Sequence, residues 1–169
     1  MAENMLTGIP FQFEPKRPNR FVAEFIGLDD NNEGAGIEVY TIQKFKRPKL
    51  VIASKEINYM NTKNFVAGIY YWDSMTIELL DLIGPSTSMK VMEWVRLCAE
   101  SISGRMGYAA GYKKNIILKQ LDPTGMPIDK WTLEQCMITD VDFGDNDHTS
   151  DDLQKITITI QPFMCVHNI

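Results

Sequence analysis

Two histidines, three cysteines and a run of aspartates are the side chains from which this chain could build chemistry. His148 stands among Asp145, Asp147, Asp151 and Asp152, and an imidazole among carboxylates suggests a divalent cation. The spacing is not that of a calcium loop, because no glycine follows Asp145 at the sixth position and no glutamate closes the run. A solvated hairpin tip accounts for the same residues. His167 lies alone near the C-terminus. Cys98, Cys136 and Cys165 have neither metal-ligand nor redox-pair spacing and read as small buried apolar residues, with Cys165 the one to watch for a bond between chains. Gly107 and Gly111 around Tyr108–Tyr112 lack the lysine-serine pair of a phosphate loop. Trp72, Trp94 and Trp131 fall on separate elements, as core anchors do, rather than on one stacking platform. No nucleophile is paired with a base, and no dinucleotide fingerprint occurs. The residues predict no enzyme, no metal and no cofactor, and favour a binding or structural role over catalysis.

The elements that would position these groups are mostly strands. Ser86–Gly104 is the one convincing amphipathic helix: Val91, Val95, Cys98 and Ile102 recur along one face, Met92 and Ala99 widen it, and Lys90, Glu93, Arg96 and Glu100 fall opposite. Pro85 and Ser86 mark its start and Gly104 its stop. Before it, Trp72–Leu80 alternates, with Met75, Ile77 and Leu79 on one side and Ser74, Thr76 and Glu78 on the other. Lys155–Gln161 alternates as cleanly, with Ile156, Ile158 and Ile160 against Lys155, Thr157, Thr159 and Gln161. Arg20–Ile26, Ile37–Phe45, Leu50–Ile57, Asn115–Leu121 and Ile128–Thr139 read as further strands, the last two joined by the turn Asp122–Pro127. Asp29–Gly36 and the acidic Asp140–Asp152 read as turn-rich breaks, and Lys44, Lys46, Arg47 and Lys49 form a basic knot around Pro48. Asn58–Gly68 follows neither period and predicts irregular backbone, yet Tyr59, Met60 and Phe65 are too apolar for a solvated loop and suit either a contact surface or a fold back over the chain's own core. Residues 1–19 carry Pro10, Pro15 and Pro18 and read as an arm presenting Phe11 and Phe13. One helix with a single apolar face among half-buried strands predicts a mainly β fold: an antiparallel sandwich or barrel with one flanking helix, about Ser86–Ser103.

The bulk numbers agree with one domain over residues 1–169, 44% hydrophobic and 23% charged. A net charge of −5 argues against a protein that grips nucleic acid through its overall charge. No apolar run approaches a membrane span, and the first residues show no secretory pattern, which predicts a protein kept in the cytoplasm or exported by another route.

Several segments, in order, resemble the tail tube protein of contractile-tailed bacteriophages. They are Arg17-Pro18-Asn19-Arg20-Phe21, Ile57–Lys63, Val66-Ala67-Gly68 followed by Trp72 and its strand, Tyr112-Lys113-Lys114, the strand ending in Gln120, the hairpin after it, and Leu153–Gln161. The set spans about Arg17 to Gln161; the N-terminal arm and the tail after Pro162 depart from it. The resemblance implies a β-sandwich with a flanking helix, homohexameric rings stacked into a hollow tube, and kinship with type VI secretion tubes and with baseplate or tube-end proteins. It implies a structural protein of the virion, assembled in the host bacterial cytoplasm. Its partners would be copies of itself, a sheath protein, a tape-measure protein, and baseplate or tail-end proteins. Double-stranded DNA would pass in transit without specific binding, and no small-molecule ligand is expected.

On that reading the ring-stacking candidates are Asn58, Tyr59, Met60, Asn61, Lys63 and Asn64. The bore-facing candidates are Glu38, Glu78, Lys155, Thr157, Thr159 and Gln161. The basic knot Lys44, Lys46, Arg47 and Lys49 is a candidate contact for sheath or ring. Six copies at −5 apiece carry −30 per ring, which lets a phosphate backbone slide rather than stick. The alternatives are a tube-initiating or tube-end protein of the same fold, a type VI-like tube subunit and, from another class, a small-ligand-binding sandwich or an enzyme with an unrecognised site.

Overall fold

The computed structural model describes residues 15–27, 37, 39–84, 86–149 and 151–168. Along the chain these form β1 (Phe21–Ile26), a short 3-10 turn (Val39–Thr41), β2 (Ile42–Phe45), β3 (Leu50–Tyr59), β4 (Thr62–Trp72), β5 (Met75–Leu80), α1 (Thr87–Cys98), α2 (Ala109–Tyr112), β6 (Lys114–Leu121), β7 (Pro127–Asp142), β8 (Lys155–Gln161) and β9 (Met164–Asn168). Among the described residues no helix is long and apolar enough to cross a membrane.

The 16-residue β7 organises the body. Its first half lies between β6 and β9, and its second half pairs with β8. The two halves meet at a bulge, where Gln135 takes φ 51° and its N–H donates to Asn115 Oδ1 at 2.9 Å. An extra residue of this kind bends a strand and sharpens its twist, which lets one strand serve two sheets. β8 and β9 follow the same side of β7 and are parted only by Pro162 and Phe163. The full strand path is β1-β6-β7-β8-β5-β2, all antiparallel, with β9 beside β7.

The alternating strands behave as their patterns dictate. Met75, Ile77 and Leu79 from β5 and Ile156, Ile158 and Ile160 from β8 are all 0% exposed. They pack with Ile116 and Leu118 of β6, Leu133 of β7, and Val91 and Trp94 of α1. Burying each such side chain is worth about 1.5–3 kcal/mol. Trp94 fixes the helix: its ring meets Phe25 edge-on at 6.1 Å, and its Nε1–H donates to the Tyr112 carbonyl at 2.7 Å.

Five expectations change. Among the described residues the strand path ends at β1 and β2 without pairing them, an arrangement consistent with a sandwich, and no closed barrel is seen. The helix stops at Cys98 because the returning chain crowds its end: Ala99 is extended and bridges Met106, while a Cβ on Gly107 would lie 2.0 Å from the Leu97 carbonyl oxygen. Ile102, expected on the buried stripe, is consequently 95% exposed, and Trp94 holds the centre. The expected strand Ile37–Phe45 is strand only from Ile42, because the 3-10 turn buries Thr41 and Ile42 in succession and breaks the period of two. Trp72 belongs to β4, with Asp73 and Ser74 separating it from β5. The largest change is at 58–68, which is no irregular loop but the tip and second strand of a long hairpin. The chain after Pro162 adds β9, which the sequence patterns leave unassigned. Phe11, Phe13, Glu38, Pro85 and the Asp29–Gly36 break lie outside the described residues.

Candidate assembly surfaces

β3 and β4 form a two-stranded sheet of their own, in register from Leu50 opposite Trp72 to Tyr59 opposite Thr62. The turn is Met60-Asn61, with Met60 at φ 50° and Thr62 Oγ1 donating to the Tyr59 carbonyl at 2.9 Å. Lower down, the strands shift register between Ile52 and Ser54, and Gly68 lies against Ala53 there; a Cβ on Gly68 would meet the Ala53 oxygen at 2.9 Å. Glycine is the residue that this close approach accepts.

The hairpin leaves both faces to solvent. Ile52, Ile57, Tyr59, Met60, Phe65, Ile69, Tyr70 and Tyr71 are each more than half exposed. Neighbouring strand positions point to opposite faces, so Phe65 and Val66 place apolar groups on both. An isolated two-stranded hairpin is marginal in water, and contiguous apolar surface exposed on both faces is uncommon on a monomer.

The six stacking candidates all fall at this tip. Asn58 stands opposite Lys63 and Ile57 opposite Asn64, Tyr59 flanks the turn, and Met60 and Asn61 form it. Lys63 pairs with Glu56 at 2.8 Å, and Asn64 Oδ1 accepts from the Phe65 N–H at 2.9 Å. Sequence reasoning singled out Phe65 but missed the rest of the shaft, namely Ile69, Tyr70 and Tyr71. A run of apolar residues on both faces has no period-two signature, and aromatic enrichment was the only signal available.

Of the bore-facing candidates, Glu38 lies outside the described residues. Glu78, Thr157, Thr159 and Lys155 share the outer face of the β7-β8-β5-β2 sheet, Glu78 standing opposite Thr157 and accepting from Lys44 at 2.7 Å. Register adds Asp140 beside Thr159 and Asp142 beside Thr157, two acids the sequence pattern assigns to a loop. Gln161 serves a different purpose: its Nε2 donates to the Trp72 carbonyl at 2.6 Å and ties the hairpin's foot to β8.

The basic knot is engaged within the chain. Lys44 meets Glu78, Arg47 donates to Gln120 Oε1 at 2.7 Å, Lys49 pairs with Asp73 at 3.4 Å, and Lys46 reaches the Ser74 carbonyl at 3.5 Å. Together these contacts staple the β2–β3 connection to the body. Lys44 and Lys49 nevertheless keep 72% and 63% of their side chains exposed.

Among the described residues, no group of three or more His, Cys, Asp or Glu is placed to hold a metal ion. In the acidic loop Asp147 accepts from the backbone and hydroxyl of Thr149, and those bonds hold its carboxyl below the usual range. Burial pushes the Cys136 and Cys165 thiols up to about 12, neighbouring Cys165 adding to the effect on Cys136. Cys165 is 7% exposed, so in this fold it does not present the thiol a bond between chains needs.

No protein-family model matches the chain, and no curated protein matches its sequence. Solved structures do share its fold. A chain of the anti-feeding prophage baseplate aligns with TM-score 0.71 at 14% identity, covering 92% of this chain and 97% of its own length. A chain from the sheath/tube terminator of the PVC extracellular contractile injection system, in its extended state, gives 0.71 at 14% identity, covering 94% and 99%. The SPP1 tail tube gives 0.56 at 13% identity, covering 91% and 79%.

Proposed function

We propose that this chain is a tube-forming structural subunit of a contractile injection or phage-tail-like assembly. In this reading copies join laterally into rings of six, and the β3–β4 hairpin reaches from one ring to the next. The observation that carries the reading is the hairpin: two strands of apolar residues, exposed on both faces, standing off a body whose own core is complete. The sheet margins support it, since an unpaired edge is a liability that neighbouring copies remove by continuing the sheet. The outer face carrying Glu78, Asp140, Asp142, Lys155, Thr157 and Thr159 is polar enough to line a wet bore. A scaffold role asks for no catalytic constellation.

The setting in an injection system is favoured over the virion. The chains that align at 0.71 come from an anti-feeding prophage and an extracellular contractile injection system, whereas the SPP1 tail tube aligns at 0.56. Sheath, baseplate and tube-end proteins fit as partners in either setting. A tape-measure protein, DNA in transit and assembly in a host cytoplasm belong to the virion reading.

Negative-stain microscopy of the concentrated full chain tests the assembly: rings or hollow tubes are expected, and a monomer at every concentration overturns the proposal. Tyr59→Ala with Met60→Ala is expected to fold and to leave no tubes; tubes of normal length and yield remove the tip from the ring contact. Charge reversal at Lys46 and Arg47 that leaves assembly and sheath attachment untouched removes the basic knot from both. Nuclease-protected DNA inside particles isolated from cells decides for the virion, and its absence for the injection system.

A further inference from the structure

The hairpin stands at one end of the β7-β8-β5-β2 sheet, and the opposite end carries a second exposed apolar surface. Both strands of the hairpin enter the body where β5 starts and β8 finishes: the Lys46 N–H donates to the Thr76 carbonyl, and Gln161 holds the Trp72 carbonyl. One strand length away, about 20 Å, lie the end of β5, the end of β7 and the start of α1. Three hydrogen bonds gather them: the Asp81 N–H to the Gln154 carbonyl at 3.0 Å, Gln154 Nε2 to the Phe143 carbonyl at 2.7 Å, and the Ser88 N–H to Asp81 Oδ1 at 3.1 Å. Ile83 is fully exposed there and Leu153 is 71% exposed. Met89 and Phe143 line one groove of about 280 Å³. Leu153, with Gly144, Asp145 and Lys155, lines a wider open hollow of about 990 Å³.

We infer that this far end, with Ile83, Met89, Phe143 and Leu153, is the seat for the β3–β4 hairpin of a second copy. The inference rests on the ring-to-ring reading above and names the surface that receives the hairpin. Charge selects the occupant. Residues 140–155 hold six aspartates against Lys155, whereas residues 44–72 hold five lysines and Arg47 against Glu56. Lys44, Lys49 and Lys63 are answered within the chain by Glu78, Asp73 and Glu56. Lys46 and Arg47 donate to neutral oxygens, so their charges stand. Asp142 and Asp147 accept from amides and a hydroxyl of their own loop, and their charges stand too. Two copies laid hairpin to hairpin would oppose base to base, and two acidic ends would oppose aspartate to aspartate. Hairpin on acidic end pairs unlike charges and covers both apolar surfaces at once. Shape agrees, since Tyr59 and Met60 project from a turn and the far end is hollow. Two different surfaces meeting in this way leave one of each free after every addition, which lets a stack keep growing.

Ile83→Ser with Leu153→Ser on the full chain tests the seat. Both side chains meet water in one copy, so the unassembled variant is expected to keep the wild-type circular dichroism and urea midpoint, while tubes require at least about ten-fold more protein. Tubes at the wild-type threshold overturn the seat and leave the tube reading standing, whereas a wild type that stays monomeric overturns both. Cross-linking fixes the direction of the contact. Met60→Cys and Leu153→Cys are assembled separately and as a mixture, treated with a short bismaleimide, and their linked peptides identified by mass spectrometry. A link between residues 60 and 153 that forms only in the mixture is the expected result. A 60-to-60 link in Met60→Cys alone, or tubes of the mixture without the 60-to-153 link, overturns it.

Discussion

β8 and the β3–β4 hairpin use the same residue for opposite ends. Ile156, Ile158 and Ile160 of β8 are fully buried, whereas Ile57 and Ile69 of the hairpin are 51% and 78% exposed. In β8 the isoleucines alternate with lysine, threonine and glutamine, so one face is spent on the core and the other on water. In the hairpin apolar side chains occupy both faces, and its two strands form a sheet apart from the main one. Burial is complete within one copy for the isoleucines of β8, whereas those of the hairpin stay exposed in it. The contrast separates the part of the chain buried within one copy from the part proposed above to meet other copies.

The largest effect should come from attacking the self-sufficient side. Ile158→Ala opens a cavity between β5, β7 and β8 and is expected to cost about 2–5 kcal/mol in urea unfolding of the unassembled protein. A loss under about 1 kcal/mol would mean that this strand is not the centre of the core.

A backbone clash probes the other side. Gly68→Ala pushes a methyl to within 2.9 Å of the Ala53 carbonyl, a rigid backbone atom, where the register already shifts. About 1–3 kcal/mol is expected, confined to the hairpin. Exchange across residues 50–72 should rise while β6 to β8 stay protected, and loss of protection throughout would show that hairpin and body fold as one unit.

Acid acts at Asp129, a buried carboxylate at the start of β7 that accepts from Lys16 at 3.0 Å and meets His167. Burial opposes the charge on Asp129, but the hydrogen bonds and charges of Lys16 and His167 outweigh it and hold the carboxyl below its ordinary value. A carboxyl depressed on folding adds stability that is present above its unfolded pKa, near 3.9, and lost as pH falls through its folded value. Wild type should therefore lose more stability than Asp129→Asn as pH drops below about 4, and parallel acid limbs in the two proteins would place the contribution elsewhere.

These regions also differ in how legible they are. Period-two alternation marks β5 and β8 because one face of each meets the core, and the isoleucines at 156, 158 and 160 predict their own burial. The turn Asp122–Pro127 is written in residues that fix it, with Asp122 Oδ1 accepting from the Thr124 and Met126 amides. The hairpin shaft carries apolar residues on both faces, so its pattern looks irregular although its register is unbroken from Ser54 to Tyr59. The tip stands out only through Tyr59 and Met60, two apolar residues among asparagines. The end of α1 was illegible for another reason: Gly107's approach to Leu97 is a tertiary event that no local period announces. The same holds for Asp129, whose partners Lys16 and His167 lie 113 and 38 residues away in the chain.

The smallest effect bears hardest on the contrast. Ile69→Ala removes the same atoms as Ile158→Ala, from a side chain that water already reaches, so unfolding of the unassembled protein should change by no more than about 0.5 kcal/mol. Tyr59→Ala with Met60→Ala should be as quiet, because both residues sit at the turn and are 69% and 87% exposed. If copies of the chain bury these groups, the cost appears only when they meet, as a higher protein concentration needed for tubes. A substitution silent in the monomer and severe in the assembly is the signature of a side chain kept for a neighbour. If Ile69→Ala instead destabilises the monomer as Ile158→Ala does, the hairpin packs on its own body in solution, and the division drawn between the two regions fails.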